Sequence, residues 1–202
     1  MSEHPALRPQ APWRARLILR LNANPRAWSV GALAEMGVAV ALAAVLGFVK
    51  IYTMPQGGSL SLEMVPLLFV AVRRGLGPAL TAGAAYGLLQ LILPGAFIYH
   101  PAQAALDYPL AFAALGLAGL VPVHGWRRLA LCVAGGSAAR FVCHFFSGLL
   151  FFSSYAPHWE APWLYAITYN LLYLAPEALI SVLVLWPLLR AYEAAFGSRT
   201  VG

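Results

Sequence analysis

The feature that most constrains this chain is a succession of apolar runs broken only by short turns. They cover about 30–52, 60–72, 77–93, 103–123, 129–153 and 163–189. A helix that crosses a bilayer needs roughly 20 apolar residues, and most of these runs are that long. The second is too short to span upright alone. Charged residues make up 10% of the chain and hydrophobic ones 61%, where a soluble domain carries about 25% charged residues. Mean hydropathy is +0.72. These properties predict an all-α membrane protein, a single bundle of six transmembrane helices over 30–190. A basic arm at 1–29 and a tail at 191–202 flank it. Residues 1–30 lack the apolar stretch of a cleavable leader.

A net charge of +6 raises the question of nucleic acid, and placement argues against it. Arg8, Arg14, Arg16, Arg20 and Arg26 precede the first run. Arg73-Arg74 and Arg127-Arg128 occupy the second-to-third and fourth-to-fifth turns, and Arg190 and Arg199 follow the last run. The alternate loops hold only Lys50. Basic residues favour the cytoplasmic side of a membrane, so this alternation predicts that both termini are cytoplasmic. The loops at 53–59, 94–102 and 154–162 then face outward, with Trp159 and Trp163 at the boundary. Cys132 and Cys143 fall in one run and cannot bridge if it is a helix; they read as small buried apolar groups.

Ionisable groups inside a membrane are expensive and mark functional sites by default. Glu35, Glu63, Asp107, Arg140, His144 and Glu177 fall within or at the edge of apolar runs. Arg140 and His144 share a helix face at i,i+4, with Ser147 and Gly148 a turn further on. Tyr165, Tyr169, Asn170 and Tyr173 open the sixth run. Together with Asp107 and Tyr108 these groups suit a small, flat, polar, cationic molecule held by a counter-charge and aromatic faces. Plainer readings stand beside this one. Asp107 and Arg140 could form a structural ion pair, His144 a hydrogen-bonded core histidine, and the aromatics simple packing. Glu35 could snorkel to the interface, Glu63 could line the site or cap a helix, and Glu177 could fill the backbone gap beside Pro176 or face water. Tyr165 and Asn170, five residues apart, point about 140° apart on a regular helix, so both reach one site only if the helix starts irregularly.

Absent motifs narrow the function. The one lysine lies in Leu46-Gly47-Phe48-Val49-Lys50, so there is no phosphate-binding P-loop. Metalloprotease, serine-hydrolase and zinc-ligand spacings are missing too. No enzyme, metal or resident cofactor is expected.

Several short motifs, in order, carry a resemblance. They are Met54-Pro-Gln-Gly-Gly-Ser59 with Arg73-Arg74-Gly75, and Tyr86-Gly87-Leu88-Leu89-Gln90. They continue with His100-Pro101-x-Gln103-x3-Asp107-Tyr108 and Arg140-x3-His144-x3-Gly148, leading to Tyr155-Ala156-Pro157. The last is Tyr165-x2-Thr168-Tyr169-Asn170-x2-Tyr173. Over about 33–190 the chain resembles the thiamine-specific S-components of energy-coupling factor (ECF) vitamin transporters, the ThiT/YuaJ type.

The resemblance implies a six-helix subunit of a bacterial cell membrane that binds thiamine from outside, closed by the first, third and fifth outer loops. Its pocket would use Tyr86, Asp107, Tyr108, Arg140, His144, Phe152, Tyr165 and Asn170. Gly37-x-x-x-Ala41 matches the small-residue motif that docks a shared transmembrane coupling subunit, and two partner ATPases would supply energy. The chain departs from the family in three places. Some members carry glutamate at Asp107, tryptophan at Phe152, and tryptophan in the first outer loop near Gly57. Aromatic stacking is then either weaker here or supplied by Tyr86 and Tyr155. Another vitamin or a thiamine precursor as ligand, or a stand-alone proton- or sodium-coupled carrier, are the alternative readings.

Overall fold

The structure, a computed structural model, describes residues 28–197. The arginines expected in the arm, and Arg199, lie outside the described residues. Among the described residues six helices form the bundle: α1 (Val30–Phe48), α2 (Met64–Arg74), α3 (Leu76–Gln90), α4 (Pro101–Leu120), α5 (Trp126–Phe151) and α6 (Pro162–Phe196). Between α1 and α2 a two-stranded hairpin pairs β1 (Tyr52–Thr53) with β2 (Ser59–Leu60). The runs and their turns therefore fall where the sequence analysis put them, and α6 continues past the expected end at 189.

Helices α1, α4, α5 and α6 are each long and apolar enough to cross a membrane. With 11 residues, α2 rises only about 16 Å, roughly half a bilayer core. It is instead the central element. Met64–Leu68, Val70 and Ala71 are all buried, as befits a helix apolar on every side. The outward faces of the long helices expose Leu42, Val45, Leu131, Leu150, Leu172, Leu179 and Leu183. A belt this apolar needs lipid as its solvent.

Local signals explain the boundaries. The Ser29 hydroxyl accepts from the Ala32 N–H at 3.2 Å and caps α1. Pro101 and Pro162 open α4 and α6, where a missing N–H does no harm. Gly75, at φ +83°, turns the chain from α2 straight into α3.

Small residues bring α3 and α4 into backbone contact. A Cβ at Gly83 would stand 2.1 Å from the Phe112 carbonyl oxygen, and one at Gly87 2.5 Å from Pro109. The approach carries Tyr86 and Gln90 toward the middle of the bundle. Within α4 the turn at Leu106–Leu110 widens to π-helical geometry around Pro109, which has no N–H for the ladder. Asp107 and Tyr108 ride on that turn, and such turns recur at functional sites.

At the end carrying Arg73 and Arg74, Glu35 does not simply reach for the interface. It accepts from Arg73 Nη1 at 2.6 Å and from Arg74 Nε at 2.9 Å, and the Arg73 guanidinium stacks 3.8 Å above the Tyr192 ring. Helices α1, α2 and α6 are tied together there, and the apolar core fills the space behind. The hairpin end is different: it encloses a cavity.

Candidate functional site

The cavity is held open by charge. Arg140 of α5 is 4% exposed, and an isolated charge at that depth would be prohibitive. Its Nη2 meets Glu63 Oε1 at 3.3 Å and its Nη1 meets Glu177 Oε2 at 3.2 Å. The guanidinium also lies 4.2 Å over the Phe112 ring. Each carboxylate has further donors. Glu63 Oε2 accepts from the Tyr86 hydroxyl at 2.7 Å and Gln90 Nε2 at 2.9 Å. Glu177 Oε1 accepts from Ser61 Oγ at 3.3 Å.

One turn along α5, His144 links this cluster to Asp107. Arg140 Nε donates to His144 Nε2 at 3.3 Å. Arginine has no acceptor, so that ring nitrogen must carry a lone pair and Nδ1 the proton. Nδ1 then donates to Asp107 Oδ1 at 2.9 Å. Asp107 Oδ2 accepts twice, from Gln103 Nε2 and from Ser147 Oγ, each at 2.7 Å. With two acceptor positions per oxygen, Oδ2 is filled and Oδ1 keeps one open. Two carboxylates, Glu63 and Asp107, line this space with Arg140 and Lys50, and Glu177 is buried behind Arg140. Arg140 is already engaged by Glu63 and Glu177, so Asp107 is the lining carboxylate that has no arginine or lysine partner.

Aromatic side chains and two loops form the roof. The hairpin loop is held by Gln56, whose N–H donates to the Tyr169 hydroxyl at 3.0 Å and whose Oε1 accepts from Tyr165 at 3.4 Å. Gly57, at φ +98°, lies against Phe97, and Gly58 against Tyr173 and Tyr169; a side chain at either would displace these rings. Asn170 donates to the His144 and Ala166 carbonyls and accepts from the Tyr173 hydroxyl at 2.8 Å.

Tyr86, Asp107, Tyr108, Arg140, His144, Phe152, Tyr165 and Asn170 all line this one cavity. The structure corrects some expectations and decides between the readings left open for others. Arg140 is not the ion-pair partner of Asp107; Glu63 and Glu177 are its partners, and His144 stands between. Glu63 lines the site and makes no side-chain cap. Glu177 is fully buried in the charge cluster and does not face water. Tyr165 and Asn170 meet at one site although α6 is regular from Pro162, because the long tyrosine side chain reaches the hairpin loop. Tyr155, 46% exposed, packs on Phe152 outside the cavity, while Phe97 lines it. Tyr86 is edge-on to Phe112 at 4.6 Å and acts through its hydroxyl. Gln90, Gln103 and Phe97 were not among the expected site residues, although the first two stand in the quoted motifs.

Gly37 and Ala41 are exposed on α1, and nothing lies within 4 Å of a Cβ built at Gly37. The side of α1 carrying Ala32, Met36, Ala39 and Ala43 is the one that packs inward.

Comparison with known proteins gives a consistent answer. The family model described as thiamine transporter protein (Thia_YuaJ) matches residues 33–196. The thiamine transporter ThiT of Bacillus subtilis (strain 168) is 36% identical over 168 residues, covering 76% of this chain and 87% of that protein. ThiT of Lacticaseibacillus paracasei is 32% identical over 151 residues, covering 67% and 75%. Among solved structures, ThiT from Listeria monocytogenes superposes with a TM-score of 0.70 at 26% identity, covering 88% of this chain and 96% of that one. The six-helix protein with this charged, aromatic-roofed cavity therefore belongs to the Thia_YuaJ family of thiamine transporter proteins.

Proposed function

We propose that this chain is the thiamine-binding membrane subunit, or S-component, of an ECF-type importer in a bacterial cell membrane. The observation that carries the reading is the open acceptor on Asp107 Oδ1, a carboxylate without an arginine or lysine partner, inside an aromatic-roofed cavity. Thiamine joins an aminopyrimidine to a permanently cationic thiazolium ring. The exocyclic amine is a donor suited to Asp107, and the cation suits the lining carboxylates of Asp107 and Glu63. The faces of Phe97, Phe152, Tyr165 and Tyr169 are available for the two rings. Thiamine is cargo here, and its capture needs no resident cofactor. In keeping with its family, the chain is a transport protein and not an enzyme.

Orientation follows from charge. The Arg73-Arg74 and Arg127-Arg128 turns belong on the cytoplasmic side, together with both termini, the 1–29 arm and the 191–202 tail. The hairpin end and its cavity then open outward. The exposed Gly37–Ala41 strip offers a close-packing surface to a transmembrane coupling subunit, and two partner ATPases drive release inside. Uptake of radiolabelled thiamine by cells tests this scheme. It should require co-expression of the coupling subunit and ATPases, and excess riboflavin should not compete. Uptake by the chain alone would point to an ion-coupled carrier, and displacement by riboflavin to another vitamin.

A further inference from the structure

Gln103 of α4 is 1% exposed and has spent its hydrogen-bonding capacity inside the protein. Its Nε2 donates to Asp107 Oδ2 at 2.7 Å and to the Phe97 carbonyl at 3.1 Å. Its Oε1 accepts from the Tyr99 N–H at 2.9 Å and the His100 N–H at 3.5 Å. It has nothing left for a ligand. What it does is join the pocket carboxylate to the loop between α3 and α4.

That loop carries Phe97, which is 36% exposed and still lines the cavity. Its ring lies 5.9 Å from the buried Phe152 ring, and its Cβ sits against Gly57 of the hairpin loop. Tyr99 of the same loop packs on Phe152 at 6.2 Å. A second tether comes from the residue after Asp107. The Tyr108 hydroxyl accepts from the Phe97 N–H at 2.7 Å and lies 3.3 Å from its carbonyl oxygen. Both backbone groups of Phe97 are thus fastened to the turn that carries the carboxylate.

We propose that Phe97 is the closing aromatic of the cavity and that Gln103 is a positioning residue that suspends it from Asp107. Occupancy of Asp107 and closure of the roof are then one event. A ligand held on Oδ1 fixes the carboxylate, which fixes Gln103 and with it the Phe97 backbone. The inference rests on the thiamine-binding reading above, and it makes Phe97 the stacking surface that Gly57 cannot supply.

The test is the dissociation rate of thiamine from the purified full-length protein, for wild type, Phe97→Ala, Gln103→Met and the double variant. Each single change should raise the rate about tenfold. The double variant should be no faster than the faster single one, because both remove the same closed roof. Multiplied effects, about a hundredfold in the double variant, would overturn the coupling, because Gln103 would then be acting only on Asp107. Should Gln103→Met fail to fold, Tyr108→Phe cuts the other tether and leaves every bond to Asp107 in place. A faster dissociation with unchanged association supports the proposal, and an unchanged dissociation rate overturns it. A wild-type protein that binds no thiamine would overturn the underlying functional reading as well. Wild-type binding with insensitive variants overturns this inference alone.

Discussion

His144 stands between Asp107 and Arg140, with Nδ1 2.9 Å from the carboxylate and Nε2 3.3 Å from the guanidinium Nε. The ring is therefore oriented from both sides and presents its proton to Asp107. It also separates Asp107 from the two carboxylates that balance Arg140.

Replacing the relay should weaken binding without unfolding the bundle. His144→Phe keeps the ring volume but removes one donor from Asp107 and one acceptor from Arg140. Leaving a buried partner unsatisfied costs about 1–3 kcal/mol, so thiamine affinity should fall about tenfold or more in equilibrium binding. Unchanged affinity would show that the relay does not prepare the carboxylate.

Arg140 should matter more for stability than its neighbours. In Arg140→Met, Glu63 and Glu177 are left facing each other at depth, and breaking a buried pair in this way costs about 3–5 kcal/mol. The detergent-purified variant should show a clearly lowered unfolding temperature. Arg140→Lys should rescue it only in part, since one ammonium cannot span two carboxylates as the planar fork does. Full recovery with lysine would contradict the two-sided role.

Two glycines of α1 should separate binding from transport. A Cβ at Gly47 would lie 2.8 Å from both Glu63 Oε2 and the Tyr86 hydroxyl, so Gly47→Ala should disturb the cavity wall and lower thiamine affinity. Gly37 has open space around it. Gly37→Leu should bind thiamine normally yet lose ATP-driven uptake in cells carrying the partner subunits. If Gly37→Leu also lost binding, the strip would serve packing within the chain.

What could be read from sequence follows the range of the forces involved. Runs of apolar residues reveal the helices because lipid demands them locally, and the shortness of the 60–72 run already marked it as unable to span upright alone. Asp107 and His144 stood out because a polar group in such a run needs a reason. Glu63 stood out too, but capping and lining could not be told apart locally, because its partner Arg140 lies 77 positions away. The π-helical turn beneath Asp107 left only Pro109 as a trace. Phe97 gave no signal, because an aromatic in a loop has no periodicity, and its role depends on Gly57 and Phe152 from two other parts of the chain.

The central claim is that thiamine is held by the Asp107 carboxylate. None of the tryptophans among the described residues lines the cavity, so calorimetry is the direct measurement. Titration of thiamine into purified wild-type protein should give saturable one-site binding. Asp107→Asn removes the charge and turns an amide N–H₂ toward donors that now need an acceptor, so its affinity should fall at least about tenfold. Equal affinity in the two proteins, or no binding by the wild type, would contradict the account.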